Sequence, residues 1–201
     1  YQAIAITTMR EIAQRYQHTP QYPFIDTKLS LITGEDFPAS DPVRGPQAIY
    51  GWIQGRGLEA LAGHARWIER CGIDDLLAAQ LRTIAQEVME QLRNMRARNA
   101  GRLRFFMFPD GQPFMLDAKG QPQQYEVTAD SPYGFSDLFS SKGLFAAADY
   151  LGDAAARVEA LAYIQAVEDA IWADQFCSDQ ISLDPKNCPE PRAGFHPHGP
   201  F

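Results

Sequence analysis

Two kinds of helical segment alternate along this chain. The segments at about residues 1–17, 74–99 and 154–175 carry apolar side chains on one face and charged side chains on the other. The segments at about residues 47–71 and 135–151 have few charges and are apolar or small nearly all round. The first pattern is typical of helices that cover a core, and the second of helices that are buried on several sides. We call segments of the first kind outer and segments of the second kind inner. Their order along the chain, which alternates from outer to inner, predicts two layers of helical hairpins.

The one-sided segments also predict which side chains enter the core. In the third segment, the apolar residues at helical spacing are Leu77, Leu81, Ile84, Val88, Leu92 and Met95. The corresponding sets are Ile4, Met9, Ile12, Ala13 and Tyr16 in the first segment, and Val158, Leu161, Ala162 and Ile171 in the fifth. We expect these faces to pack against the inner segments.

The stretches between the helices predict one loop and one hairpin. The stretch RLRFFMFPDGQPFMLDAKGQPQQYEV contains a β-prone run, a PDG turn and a second short apolar run, a pattern that indicates a β-hairpin between the third and fourth helices. The stretch between the first two helices is rich in Gly, Pro, Ser and Asp, and it indicates a loop. A hairpin in this position would lie at the end of an inner helix, where a ligand could enter.

Charge and composition restrict the partners. The 201 residues include 25 acidic and 18 basic side chains, for a net charge of -7, and 45% are hydrophobic. Nucleic acids and anionic membranes require a basic face, so a small neutral or weakly charged ligand is favoured.

We find neither an 18-residue apolar run nor a leader, and we expect a cytoplasmic protein with no membrane partner. Cys71, Cys177 and Cys188 form no CxxC pair, which favours a reducing compartment.

Arg56 lies in a nearly uncharged part of the second segment, GWIQGRGLEALAGH. Helical spacing puts Trp52 and Arg56, four residues apart, on the same side. Because an unpaired buried guanidinium costs several kcal/mol, Arg56 needs a carboxylate, water or a polar ligand beside it. Two interpretations remain open. One is a core ion pair, for example with Glu59, and the other is a ligand-facing arginine beside an aromatic platform for a sugar.

Two histidines near the end of the chain are further candidates. His196 and His198, in FHPHGPF, could bind a metal together with Cys177 and Cys188, but the spacing is not that of a regular zinc site, and we expect no metal. Contact with substrate or acid/base chemistry is the favoured role, and capping of a following helix is the alternative. The chain also lacks GxGxxG and GxxxxGK[ST] motifs, so we expect no nucleotide cofactor.

Tyr133 and Asp137 lie at the start of the fourth segment. Tyr133, Phe135 and Phe139 could form part of the core or a wall on which a sugar stacks. A carboxylate in the first turn of a helix is favoured by the helix dipole, so a helix-terminal role for Asp137 competes with contact to substrate.

Two stretches resemble a known family. WIQGRGLEALAGHA, from Trp52, resembles the second-helix motif of the N-acylglucosamine 2-epimerases and of their cellobiose 2-epimerase and mannose-type aldose-ketose isomerase relatives. FSDLFSSKGLFAAADYLGD resembles their fourth helix, and the similarity covers most of the chain. The resemblance implies an all-α fold, an (α/α)6 barrel, of which residues 1–201 would be a single partial domain truncated at its C-terminal end. It also implies a cofactor-independent sugar epimerase or isomerase that removes and returns a proton next to the sugar carbonyl.

The resemblance assigns roles to individual residues. Arg56 matches the family arginine that contacts sugar oxygens and stabilises developing negative charge, and His198 or His196 falls near a histidine that contacts substrate at the start of the sixth helix. We therefore predict that Arg56 and His198 are catalytic. The predicted substrate-binding residues are Trp52, His196, Tyr133 and Asp137.

The resemblance also implies that some catalytic residues of the family lie outside this chain. The family's acid/base histidine pair comes from later inner helices, and an isolated half barrel would expose the inner faces of its second and fourth helices. We therefore expect a natural protein of about twice this length. The partner is a small-molecule sugar, and a homodimer is one assembly open to the protein.

Two other functional classes remain open. A glycoside hydrolase or lyase on a similar helical barrel would need two opposed carboxylates, for which Asp110, Asp130 and Asp137 are the candidates. A non-catalytic carbohydrate-binding helical protein would need no such pair of carboxylates.

Overall fold

The computed structural model describes residues 1–179, so the predictions for His196 and His198 lie outside the described residues. Five helices dominate this part of the chain: α1 (Gln2–His18), α2 (Gly51–Cys71), α3 (Asp75–Arg98), α4 (Phe135–Leu151) and α5 (Ala154–Trp172). The expectation of a mostly helical protein is confirmed. Through residue 179, no helix has both the length and the apolar character needed to cross a membrane.

The helix ends follow local capping chemistry. The carboxylates of Asp74 and Asp153 accept hydrogen bonds from the first turns of α3 and α5, at 3.0 and 2.9 Å. Gly72 and Gly152 end α2 and α4 in the left-handed conformation, with φ of 57° and 76°. Because these signals are local, the predicted starts of α3 and α5 and the predicted ends of α2 and α4 agree closely with the observed ones.

Six short strands pair between the helices in the described part of the chain. β1 (Ile49–Tyr50) is antiparallel to β2 (Phe106–Met107), β3 (Phe114–Leu116) is antiparallel to β4 (Pro122–Gln124), and β5 (Tyr133–Gly134) is parallel to β6 (Phe176–Cys177). The second helix is therefore shorter than predicted, because Ile49 and Tyr50 form β1, and the fifth ends at Trp172 in a turn that leads into β6.

The predicted hairpin exists, but its strands differ from the prediction. The PDG turn is present, with the Gly111 N–H donating to the Phe108 carbonyl at 2.8 Å, but the main hairpin is β3–β4. The aromatic run before the turn forms one bridge across it, between Met107 and Pro113, as predicted, and it also pairs with β1. Tyr50 packs edge-on against Phe105 and Phe106, with ring centroids 5.4 and 4.8 Å apart, and this aromatic contact favours the long-range partner.

The two helices predicted to be inner form a close pair. A side-chain carbon added to Gly55 of α2 would lie 2.5 Å from the backbone of Phe139 and Ser140 in α4, and one added to Gly143 would overlap the backbone of Gly55. The Ser140 hydroxyl donates to the carbonyl of Gly51 at 3.1 Å. α3 contacts α1, α2 and α4, while α5 contacts α4. The inner pair is thus held by backbone contact, α3 and α5 pack against it, and α1 packs against α3.

The predicted core face is confirmed for α3 and wrong for part of α5. All six apolar residues named for α3 are buried. Val158 and Leu161 of α5 are instead 70% and 54% exposed, and Ile4 of α1 is 72% exposed. The face of α5 that is buried comprises Ala156, Ala160, Tyr163, Val167 and Ala170. The Tyr163 hydroxyl donates to Asp137 of α4 at 2.5 Å, and this bond, together with the small alanines, turns that face inward.

Candidate functional site

A groove of about 320 Å³ lies along α2. Its floor, which we define as the α2 residues lining it, comprises Trp52, Ile53, Arg56, Gly57, Ala60 and Leu61. Its wall comprises Met9 and Ile12 of α1 together with Ile25 and Thr27 of the segment that follows α1. The groove therefore contains two of the predicted site residues, Trp52 and Arg56.

The guanidinium of Arg56 lies beside two aromatic rings. Its central carbon is 6.0 Å from the ring centroid of Trp52 and 5.5 Å from that of Phe139, and the two rings are 6.2 Å apart. These distances are those of cation–π contacts. Arg56 is exposed and forms neither an ion pair nor a hydrogen bond with residues 1–179. Glu59, the proposed ion-pair partner, lies 3.5 Å from Lys142 instead.

Trp52 is the aromatic residue that lines the groove, and other aromatic rings pack against it. Its ring packs against Phe105 at 5.7 Å and against Phe139 at 6.2 Å. Its indole N–H is buried and has no hydrogen-bond partner in the described part of the chain. Buried unpaired donors are uncommon in folded proteins and need a physical explanation. Trp52 and Arg56 together thus combine an aromatic face with hydrogen-bond donors that the described residues leave unused.

Asp137 lies in a different cluster. Its side chain is fully buried and accepts hydrogen bonds from the backbone N–H of Leu103 at 2.8 Å and of Gly134 at 2.9 Å, and from the Tyr163 hydroxyl at 2.5 Å. The guanidinium of Arg104 lies 3.3 Å from its second oxygen. Burial raises the pKa of Asp137 to about 6, although Arg104 and the hydrogen-bond donors act in the opposite direction. This arrangement favours the helix-terminal interpretation of Asp137.

Tyr133 belongs to the same cluster. The guanidinium carbon of Arg102 lies 3.5 Å from the centroid of the Tyr133 ring, and the ring of Tyr163 is 6.4 Å away. Burial raises the pKa of Tyr163, the residue that joins Tyr133 to Asp137. The structure thus brings Trp52 and Arg56 together in the groove, while Tyr133 and Asp137 are not among the residues that line it.

Phe139, for which a core position and a place in a sugar-stacking wall are both open from the sequence, has its ring beside Arg56. Two residues of the groove wall are not among the predicted site residues. Ile25 and Thr27 lie in a segment predicted only as loop, and nothing in its local pattern indicates which helix it would contact. The helical spacing of Phe135 and Phe139, with ring centroids 6.3 Å apart, is the one signal that could have indicated an aromatic stripe on α4.

No group of three or more His, Cys, Asp or Glu side chains in residues 1–179 is arranged to hold a metal ion. Comparison with protein-family models gives no match, and a search of curated proteins gives no significant one. The similarity to the epimerase family therefore depends on the two sequence stretches alone.

Proposed function

We propose that this protein is a sugar 2-epimerase or aldose-ketose isomerase of the N-acylglucosamine 2-epimerase type. The observation that carries this proposal is the position of Arg56 at the groove, where its guanidinium lies against the rings of Trp52 and Phe139 and forms no hydrogen bond or ion pair with the described residues. Because the guanidinium is exposed, it is not part of a core ion pair and is open to a ligand that enters the groove.

The chemistry of these residues suits a sugar. The planar guanidinium can donate two parallel hydrogen bonds to adjacent carbonyl and hydroxyl oxygens, which a lysine cannot reproduce. When a proton leaves the carbon next to the carbonyl, negative charge develops on the carbonyl oxygen, and a fixed positive group beside it lowers the barrier. The face of Trp52 offers the apolar surface on which a sugar ring can stack.

We also propose that the helical layers belong to an (α/α)6 barrel. The close pair α2–α4, with α3 and α5 packed against it and α1 against α3, supports neighbouring inner and outer helices of such a ring. In such a ring one end of each inner helix borders the central pocket, and Trp52 and Arg56 lie in the first two turns of α2, where a substrate in that pocket could reach them.

The hydrolase alternative has less support. Of its candidate carboxylates, Asp137 is fully buried with both oxygens engaged, and Asp110 lies in the PDG turn, where it accepts a hydrogen bond from the Gln112 N–H at 2.9 Å. Neither arrangement resembles two carboxylates that face each other across a bound sugar.

Deuterium uptake at sugar C2 in heavy water tests the proposal. The protein should be assayed together with whatever natural sequence flanks residues 1–201, against N-acylhexosamines, mannose, glucose and cellobiose. Exchange at C2 of one of these sugars is the expected result. If none of them exchanges, the epimerase and isomerase assignment is wrong.

A further inference from the structure

Gln54 joins α2 to the groove wall through a reciprocal pair of hydrogen bonds. Its side-chain N–H donates to the carbonyl of Ile25, and its side-chain oxygen accepts from the N–H of the same residue, both at 2.8 Å. Gln54 is only 1% exposed, although it is a polar residue. The amide of Gln54 thus pairs with the peptide groups of Ile25 as a neighbouring strand would.

This pairing determines how the segment after α1 meets the floor of the groove. The Ile25 side chain packs so closely on α2 that a side-chain carbon added to Gly57 would lie 2.7 Å from it. Ile25 and Thr27 line the groove opposite Arg56, whereas Gln54 points into the protein and does not line it. The distance between wall and floor therefore depends on a residue outside the groove.

We propose that Gln54 is a positioning residue that holds Ile25 and Thr27 against α2 and thereby sets the width of the groove at Trp52 and Arg56. Lys28 supports the same segment further along, where its ammonium donates to the carbonyls of Gly45 and Ala48 at 2.7 Å. Gln54 is the direct link to the groove wall. The consequence for substrate selection rests on the proposed function, but the geometric role of Gln54 does not.

The test uses Gln54→Met, which keeps the length of the side chain and removes both hydrogen bonds. Amide hydrogen exchange reports the Ile25 N–H directly, and acrylamide quenching reports the groove in a Trp67→Phe/Trp172→Phe background that leaves Trp52 as the only tryptophan. We expect protection of the Ile25 amide to fall by at least about fivefold, the factor that one net hydrogen bond typically provides, and quenching of Trp52 to increase.

Asn99→Ala is the matched control. It removes one buried hydrogen bond from a side-chain amide to the backbone, the 2.8 Å bond to the carbonyl of Gly111, at a site outside the groove. We expect it to lower the melting temperature without changing Ile25 exchange or Trp52 quenching. The proposal is wrong if Gln54→Met changes Ile25 exchange and Trp52 quenching no more than this control does. It is also wrong if Gln54→Met exposes the Ile25 amide without changing the quenching of Trp52.

Gln54→Glu provides a second variant if Gln54→Met does not fold. Its protonated carboxyl can both donate to and accept from the peptide groups of Ile25, while the carboxylate can only accept. The carboxylate would face the Ile25 carbonyl oxygen at a buried position with no proton between them, so we expect the pair to open at high pH. The protection factor of the Ile25 amide should therefore recover as the pH falls, and failure to recover would contradict the proposed pairing.

In the active enzyme, Gln54→Met should raise KM for the sugar more than it lowers kcat, because Gln54 does not touch the reacting atoms. Absence of any sugar activity in the parent protein would count against the proposed function. The exchange and quenching results would still decide the role of Gln54.

Discussion

Gly55 of α2 faces Gly143 of α4 with no room for a side chain between the two backbones. This contact holds the inner helix pair, and it places Phe139 of α4 beside Arg56 of α2. A close backbone approach of this kind depends on both residues being glycine, because any larger residue would force the helices apart.

Gly143→Ala should therefore destabilise the protein. The added methyl group would overlap the backbone of Gly55, and overpacking of this kind typically costs about 1–3 kcal/mol. Chemical denaturation monitored by circular dichroism measures the change in the free energy of unfolding.

Gly63→Ala is the control for this substitution. Gly63 lies in the same inner pair, on α2, but has no atom within 4 Å of an added side-chain carbon. Alanine should stabilise α2 there by about 0.5–1 kcal/mol through its higher helix propensity. Equal effects at the two positions would contradict the packing described for Gly143.

Asp137→Ala should be strongly destabilising. The substitution removes the acceptor for Leu103, Gly134 and Tyr163 and leaves the guanidinium of Arg104, which is only 6% exposed, without its carboxylate. Removing one partner of a buried ion pair costs about 3–5 kcal/mol. Asp110→Ala, in the exposed PDG turn, should change the free energy of unfolding by less than about 1 kcal/mol. If both substitutions change the free energy of unfolding by a similarly small amount, the buried cluster described for Asp137 is wrong.

The cluster around Asp137 also predicts a dependence of stability on pH. Burial raises the pKa of Asp137 to about 6, from an ordinary value of 3.8, so the folded protein keeps this proton to a higher pH than the unfolded chain. The stabilising contribution of the protonated carboxyl is complete below about pH 4 and is lost as the pH rises through about 6. The destabilisation caused by Asp137→Ala should thus increase by about 1–3 kcal/mol between pH 7 and pH 4. A difference between parent and variant that stays constant over this range would show that the pKa of Asp137 is not raised.

The elements that could be predicted from sequence are those specified by local signals. Asp74 and Asp153 cap helices, and Gly72 and Gly152 end them. The regularly spaced apolar residues of α3 form a single face, so the helix can bury only that face. The small residues of the two inner helices likewise predicted their close packing.

The features that could not be predicted depend on contacts between distant parts of the chain. α5 carries apolar residues on more than one face, and the choice between them depends on the bond from Tyr163 to Asp137, which a helical pattern does not contain. The aromatic run at residues 105–108 pairs with β1 because Tyr50 packs on it. The groove wall depends in the same way on Gln54, whose partner Ile25 lies 29 residues away.

The most direct test of the ligand-facing role of Arg56 is the rate of deuterium incorporation at sugar C2, measured for the parent protein and for Arg56→Ala side by side. We predict a loss of at least about 100-fold in the variant, the size of effect typical when a donor to a developing oxyanion is removed. Its melting temperature should be nearly unchanged, because Arg56 is exposed and forms no ion pair with the described residues. Undiminished exchange in Arg56→Ala, or a variant that loses activity only because it unfolds, would contradict this role.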